Sequence, residues 1–476
     1  MFIASRSSWA AFAVLSASAL ATTGCVHQTG GADSAGDLRE RVWAPELQPP
    51  VSPSDRPMAT FVLDGRPFCF AGTNNYYLTY KSRRMADDVL QATKRMGLKV
   101  VRIWANIDRG SLDGSVRSVD GSGDKDGVYF QYWDVAAKRP AYNDGASGLQ
   151  RLDYVLDAAG KLGLKVMLVL TNNWKEFGGM DQYVVWFGLT RHHAFYTDAR
   201  ARTAYKAWAA HLAMRRNSIS GVLYRDDPTI FGWELANEPR CCNGGDFDDR
   251  SECGTDTLVT WAEEMSGAIK SLDPNHLVSI GDEGFFAQGT GWGYDGADGV
   301  DHEALLGLSH VDFGTFHLYP DTWERSLTWS RQWIEDHIAS ARKAGKPTML
   351  EEYGVVTDRG ASAGEVALER RAAAFRGWHE VILKRGGNAA LFWMLAGSDD
   401  SNAAYPDYDH FAIYEKDTVS SALRAFASTM ATNARACSLY RSLVPAGLMP
   451  RSPFVTTAPL PDSARTQVAR AAGDRS

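Results

Sequence analysis

Ile230-Phe-Gly-Trp-Glu-Leu-Ala-Asn-Glu-Pro239 is the stretch that decides the fold. Up to Ala236 it is apolar apart from Glu234, and the run ends at a proline. Such a short, nearly continuous apolar run reads as a strand buried on both faces. Similar runs lie at Phe68–Thr73, Val100–Trp104, Lys165–Thr171, Leu277–Gly281, Phe313–His317, Thr348–Glu352 and Ala390–Trp393. Between them come helical patterns at Met85–Met96, Leu149–Leu162, Ala199–Arg215, Thr257–Leu272, Trp329–Ala344 and Glu365–Lys384. Eight strand candidates separated by helices or long loops predict an α/β chain, a single (β/α)8 TIM barrel. Ahead of the first run, Thr60–Leu63, the turn pair Asp64-Gly65 and Pro67–Phe70 predict an N-terminal hairpin.

Polar residues collect at one end of the runs. Asn74 and Asn75, Trp104, Asn172 to Trp174, Asn237 and Glu238, Asp282 and Glu283, His317 and Tyr319, Glu352 and Tyr353, and Trp393 all fall at C-terminal strand ends. In this architecture that face carries the site. Glu238 and Glu352 end the fourth and seventh runs, so they are expected to face each other across the barrel mouth.

The remaining chain divides simply. Residues 1–25 read as a signal peptide, with Arg6 ahead of the apolar Trp9–Ala21. Ala19-Leu20-Ala21 offers one cleavage site; Thr22-Thr23-Gly24-Cys25 resembles a bacterial lipobox and makes Cys25 a candidate lipid anchor. Both readings place the protein outside the cytoplasm, secreted or on a bacterial envelope. Residues 26–56 read as a flexible linker, 57–445 as the barrel domain and 446–476 as a frayed tail. The net charge of −7 excludes a basic field for nucleic acid or anionic lipid. Fifteen Trp and 18 Tyr exceed the needs of a core and suit stacking on sugar rings. Export permits disulfides: Cys241 or Cys242 to Cys253, and Cys69 to Cys437, with zinc at Cys241-Cys242-Cys253 as the rival reading of that cluster.

The segments Trp233-Glu-Leu-Ala-Asn-Glu-Pro239 and Leu350-Glu-Glu-Tyr-Gly354 resemble the acid/base and nucleophile motifs of glycoside hydrolase family five. The resemblance runs from about Phe61 to Leu395. It implies a retaining mechanism without metal or organic cofactor, Glu238 acting as acid/base and Glu352 as nucleophile. It further implies that Arg102 orients the nucleophile, and that Asn237 binds the sugar 2-hydroxyl. His317 and Tyr319 belong beside the two carboxylates, and Trp393 beneath the sugar. Trp104, Asn172 and Trp174 complete the expected substrate-binding set.

Thr171-Asn-Asn-Trp174, Gly178-Gly-Met-Asp-Gln-Tyr183, Trp186, Gln131-Tyr-Trp133, Tyr142-Asn143, Gly148-Leu-Gln-Arg-Leu-Asp153 and Gly289-Thr-Gly-Trp292 resemble the β-mannanase branch. The implied activity is endo-β-1,4-mannanase on mannan, galactomannan or glucomannan. A β-1,4-glucanase or exo-β-mannosidase shares the scaffold, and a non-catalytic carbohydrate-binding lipoprotein is the alternative of another class. A monomer is the default for an enzyme that meets a polymer.

Neighbouring groups receive plainer readings. Strand alternation allows only one of Glu351 and Glu352 into the mouth, so Glu351 is expected to face the helices. Glu234 shares the face of Glu238 roughly 13 Å deeper, as a buried partner for an arginine. Asp282 and Glu283 are expected to line the cleft without doing chemistry. His192-His193 reads as loop residues, and Lys81-Ser-Arg-Arg84 as a solvated face or a contact to sugar hydroxyls.

Overall fold

The computed structural model describes residues 59–120, 125–357, 364–432 and 456–457, with the side chains of 364–366 and 456–457 excepted. Eight parallel strands form the central sheet: β1 Phe70–Asn74, β2 Val100–Trp104, β3 Lys165–Val169, β4 Ile230–Glu234, β5 Leu277–Ser279, β6 Gly314–Leu318, β7 Thr348–Tyr353 and β8 Ala389–Phe392. Their hydrogen-bonded order is β5-β4-β3-β2-β1-β8-β7-β6. The two outer strands meet through Asp312 N to Val278 O, 2.8 Å, and His317 N to Glu283 O, 3.1 Å, which closes the (β/α)8 barrel.

Each strand is followed by a helix: α1 Arg83–Arg95, α2 Leu149–Lys161, α3 Ala199–Ala213, α4 Thr255–Leu272, α5 His302–Gly307, α6 Leu327–Ala344, α7 Gly364–Arg385 and α8 Ser420–Thr432. Local chemistry sets their ends. Ser82, Asp198 and Ser326 accept the first free backbone N–H groups of α1, α3 and α6. Gly345 closes α6 in the left-handed region, φ 70°. On α1, Met85, Ala86, Val89 and Leu90 form the buried stripe. No helix among the described residues is long and apolar enough to cross a membrane.

The floor of the barrel is a closed apolar layer. Phe61, in a short strand Phe61–Leu63 turning at Asp64-Gly65 into Arg66–Pro67, is fully buried there. Its ring packs against Phe70, Phe231 and Phe313 at 5.5, 5.4 and 5.1 Å between centroids. Asp64 and Gly65 both have positive φ, 52° and 70°, as a tight hairpin turn requires. Phe61 and Val62 also pair antiparallel with Thr457 and Thr456, which lie in the stretch expected to fray.

Two features depart from a regular barrel. After β2, the chain builds a three-stranded sheet from Asp108–Ser111, Gln131–Asp134 and Arg139–Tyr142. Between β6 and β7, Phe316 pairs with Leu350 but His317 pairs with Glu352, so Glu351 is the extra residue of a β-bulge.

Cys241 bridges to Cys253, with Cα atoms 5.6 Å apart, which removes the zinc reading of that cluster. Cys69 and Cys242 are disulfide-bonded as well; Cys437, the expected partner of Cys69, lies outside the described residues. So do the segments expected to form a signal peptide, a lipobox at Cys25 and a linker.

Candidate active site

The site is built on the strand ends. Beyond β4, Asn237 N donates to Thr171 O and Glu238 N to Gly281 O, both at 2.9 Å, so the backbone of this turn is tied to β3 and β5. Glu238 itself has φ 52°, a left-handed conformation that costs a non-glycine residue of the order of 1–3 kcal/mol. Gly281 makes the close approach possible. A Cβ there would stand 2.0 Å from Ala236 O and 2.3 Å from Glu234 Oε1.

Glu238 and Glu352 are both buried, at 1% and 3% exposure. Glu238 Oε1 lies 2.7 Å from His317 Nδ1, and Oε2 accepts from Trp174 Nε1. Glu352 Oε1 accepts from Arg102 Nη1, and Oε2 from the Tyr319 hydroxyl at 2.6 Å. One oxygen of each carboxylate and one ring nitrogen of His317 lie within 4.8 Å of one another. That spacing would also suit a divalent cation. The groups around the carboxylates, however, are N–H and O–H donors from Trp174, Arg102 and Tyr319, which suit oxygen acceptors and not a cation.

Burial raises both carboxyl groups above the usual range. For Glu352 the charge of Arg102 and the Tyr319 hydrogen bond oppose that rise. For Glu238 the opposition comes first from Arg240, then from Trp174. Two carboxylates this close resist double ionisation, so one keeps its proton. The guanidinium in direct contact with Glu352 favours ionisation there and leaves the proton on Glu238. Burial lowers His317 and raises Tyr319, so both are neutral near pH 7.

Arg102 organises the inner layer. Its Nε and Nη2 hold both oxygens of Glu234 at 2.7 and 2.6 Å, Nη2 reaches Asn237 Oδ1 at 2.7 Å, and Nη1 reaches Asn74 Oδ1 at 3.1 Å. Glu234 is therefore the buried arginine partner that strand parity predicts. Asn237 Nδ2 donates to Asn172 Oδ1 at 3.0 Å, which leaves its second hydrogen for a ligand. Trp393 is half-buried, its Nε1 donating to Asp409 at 2.7 Å. Trp104 is buried edge-on against Trp393 and beneath the Arg102 guanidinium.

The strand-parity expectation for Glu351 fails. The bulge turns it inward, where it is fully buried with Oε2 3.4 Å from His317 Nε2 and Oε1 3.6 Å from Arg102 Nε. His192 is no loose loop residue either. It is fully buried and links Asp181, at 2.7 Å, to Asn173, at 2.9 Å. The Lys81–Arg84 segment does form a solvated face, pairing with Asp126 and Asp400.

Arg240 and Asp409 escaped the sequence reading, and Glu283 was expected only to line the cleft. Arg240, two residues past Glu238, is buried and ion-paired with Glu283 and, at 3.6 Å, with Asp298. Burial pushes Glu283 up to about 7, against the pull of the Arg240 guanidinium. Its position after β5 was visible in the sequence, but its partner on the β4 loop was not.

A closed (β/α)8 barrel with two hydrogen-bonded carboxyl groups facing each other at the ends of β4 and β7 defines a class of sugar-cleaving enzymes. Residues 55–397 match the model of a known family, and the chain belongs to it: glycoside hydrolase family 5, β-mannosidase-like. It is similar to the probable mannan endo-1,4-beta-mannosidase C of Aspergillus terreus, 36% identical over 75% of this chain and 86% of that protein. Mannan endo-1,4-beta-mannosidase A of Podospora anserina is 35% identical over 76% of this chain and 87% of its own length. Among solved structures, the endo-1,4-beta-mannanase from Rhizomucor miehei superimposes with a TM-score of 0.70 at 38% identity, covering 80% of this chain and 99% of that one. The endo-beta-1,4-mannanase from Thermotoga petrophila gives 0.67 at 41% identity, over 78% and 79%.

Proposed function

We propose that this chain is a retaining endo-β-1,4-mannanase, with Glu238 as acid/base and Glu352 as nucleophile. The observation that carries the mechanism is that an oxygen of Glu238 and an oxygen of Glu352 lie within 4.8 Å of each other. Retaining enzymes hold their pair about 5–5.5 Å apart, whereas inverting enzymes need roughly 6.5–9.5 Å to admit a water. The substrate follows from the relatives, which are named for endo-cleavage of mannan and cover most of this chain.

In the first step Glu238 gives its proton to the glycosidic oxygen while Glu352 attacks the anomeric carbon. The leaving chain departs as an alcohol and a glycosyl ester forms on Glu352. Glu238, now ionised, takes a proton from water, and the resulting hydroxide equivalent releases the sugar with the original anomeric configuration. Arg102 and Tyr319 hold the nucleophile in position. The free hydrogen of Asn237 Nδ2 meets the 2-hydroxyl, and the Trp393 ring carries the sugar face.

The relatives cited above from Aspergillus and Podospora are fungal and lend the bacterial lipid anchor at Cys25 no support. We retain only export, and a monomer acting on the polymer.

Product analysis on linear β-1,4-mannan, with cellulose in parallel, tests the reading in wild type and Glu352→Ala. Short manno-oligosaccharides from wild type alone are expected. Cleavage of cellulose instead would transfer the mechanism to a β-1,4-glucanase, and release of mannose alone from chain ends would make the enzyme exo-acting. Inactivity on both polymers would return the chain to a carbohydrate-binding role.

A further inference from the structure

The seventh strand carries two glutamates, and the reaction uses one. Glu234, Glu351 and Glu352 are three buried carboxyl groups around the single Arg102 guanidinium. Arg102 directs its hydrogen bonds to Glu234 and Glu352 and only approaches Glu351. Glu351 Oε1 has no hydrogen-bond donor among the described residues. An ionised Glu351 would be a buried charge beside two like charges, with one oxygen unsatisfied, and both features are costly. A proton on Oε1 removes the charge and turns the orphaned acceptor into a donor, with the neighbouring Glu234 carboxylate as acceptor. Burial and the Glu234 charge push the Glu351 carboxyl well above its ordinary range.

A neutral Glu351 dictates the protonation of His317. The oxygen 3.4 Å from His317 Nε2 is then a carbonyl, able only to accept, so Nε2 carries the hydrogen. A neutral imidazole has one N–H, which leaves Nδ1 as acceptor. Nδ1 lies 2.7 Å from Glu238 Oε1, a contact that now requires the proton to sit on Glu238. The charged and titratable groups facing His317 are Arg102 from β2, Glu234 and Glu238 from β4 and its loop, Glu283 after β5, and Glu351 and Glu352 from β7. Arg102 opposes a second proton on the ring.

We propose that Glu351 is a positioning residue: as a neutral acid hydrogen-bonded to Glu234, it fixes the Nε2–H tautomer of His317 and thereby holds Glu238 in its protonated form. The β-bulge makes the arrangement possible by turning consecutive glutamates into the same interior. The role assigned to Glu238 rests on the retaining-glycosidase reading, whereas the tautomer does not.

The test uses the full chain with 15N-labelled histidine, His317 being assigned by its loss in His317→Gln. Imidazole NMR near pH 7 is expected to show His317 with hydrogen on Nε2 and a bare Nδ1, in wild type and in Glu351→Gln alike. Glutamine supplies a carbonyl to His317 and an N–H to Glu234, so it should keep the basic limb of the kcat/KM profile in place. Glu351→Met offers neither. There an Nδ1–H can form and stabilise ionised Glu238, moving the basic limb about one pH unit lower. An Nδ1–H tautomer or an imidazolium in wild type would overturn the proposal. So would a basic limb in Glu351→Gln displaced as far as in Glu351→Met. Should the methionine variant not fold, the wild-type tautomer and the glutamine profile still decide. A wild type that cleaves no glycan would remove the proposed function while leaving the tautomer measurable.

Discussion

Tyr319→Phe removes one oxygen and leaves the ring packed edge-on against Phe411, 5.1 Å between centroids. The lost group is the hydroxyl that donates to Glu352 Oε2 at 2.6 Å. A hydrogen bond to a charged acceptor contributes about 1.5–3 kcal/mol. Each pKa unit corresponds to about 1.4 kcal/mol, so the full effect would be about 1–2 units. Arg102 remains on the other carboxylate oxygen, which argues for the low end, about one unit. The sign is fixed by the role. The hydrogen bond favours ionised Glu352, the proposed nucleophile, and holds its pKa down against burial. Without it the pKa rises, Glu352 is protonated at higher pH, and the acid limb of kcat/KM moves up. The assay is kcat/KM on a manno-oligosaccharide across the acid range, with thermal unfolding as a control for the fold. An acid limb within about 0.3 units of wild type, in a protein of unchanged unfolding midpoint, would refute this account of how the nucleophile is kept ionised.

Phe61→Ala should lower stability by about 3–5 kcal/mol, because a fully buried ring touching three others leaves a cavity. Its kcat/KM should match wild type, since the floor lies at the opposite end of the barrel from the mouth; urea unfolding and initial rates read the two effects separately. Cys253→Ser opens a loop of sequence separation 12 and should cost about 3 kcal/mol, measured as a lower urea midpoint. Burial pushes His379 down to about 3, while its Nε2 pairs with the Tyr353 hydroxyl at 2.8 Å. The unfolded chain therefore binds a proton that the folded one refuses between about pH 6.5 and 3, so stability is full above that window and declines as pH falls through it. His379→Gln should flatten that decline, and an unchanged slope in urea midpoints against pH would show that other groups dominate acid unfolding.

The strands were legible because each is a short apolar run ended by polar residues, and the parallel sheet follows from the helices between them. Glu238 and Glu352 were legible for the same reason, as was the pairing of Glu234 with an arginine. Glu351 was not, because alternation along a strand presumes regular pairing, and the extra residue opposite Phe316 and His317 breaks it. Nothing local in Leu350-Glu-Glu-Tyr announces that bulge; it arises from how two distant strands register. Arg240 with Glu283, and Trp393 with Asp409, are likewise contacts between elements far apart in sequence. The choice of Cys241 over Cys242 has a different origin. Adjacent cysteines are equivalent by spacing, and only the path of the loop after Pro239 separates them.

The aromatic floor under the barrel has a consequence for traffic. Phe61, Phe70, Phe231 and Phe313 seal the end of the barrel away from Glu238 and Glu352. Water for the second step, protons exchanging with the inner carboxyl layer and both halves of a cut chain must all use the mouth. A polysaccharide consequently lies across this protein and cannot thread through it. The order in which fragments depart is then set at a single doorway, so a bound leaving chain delays the water that must replace it.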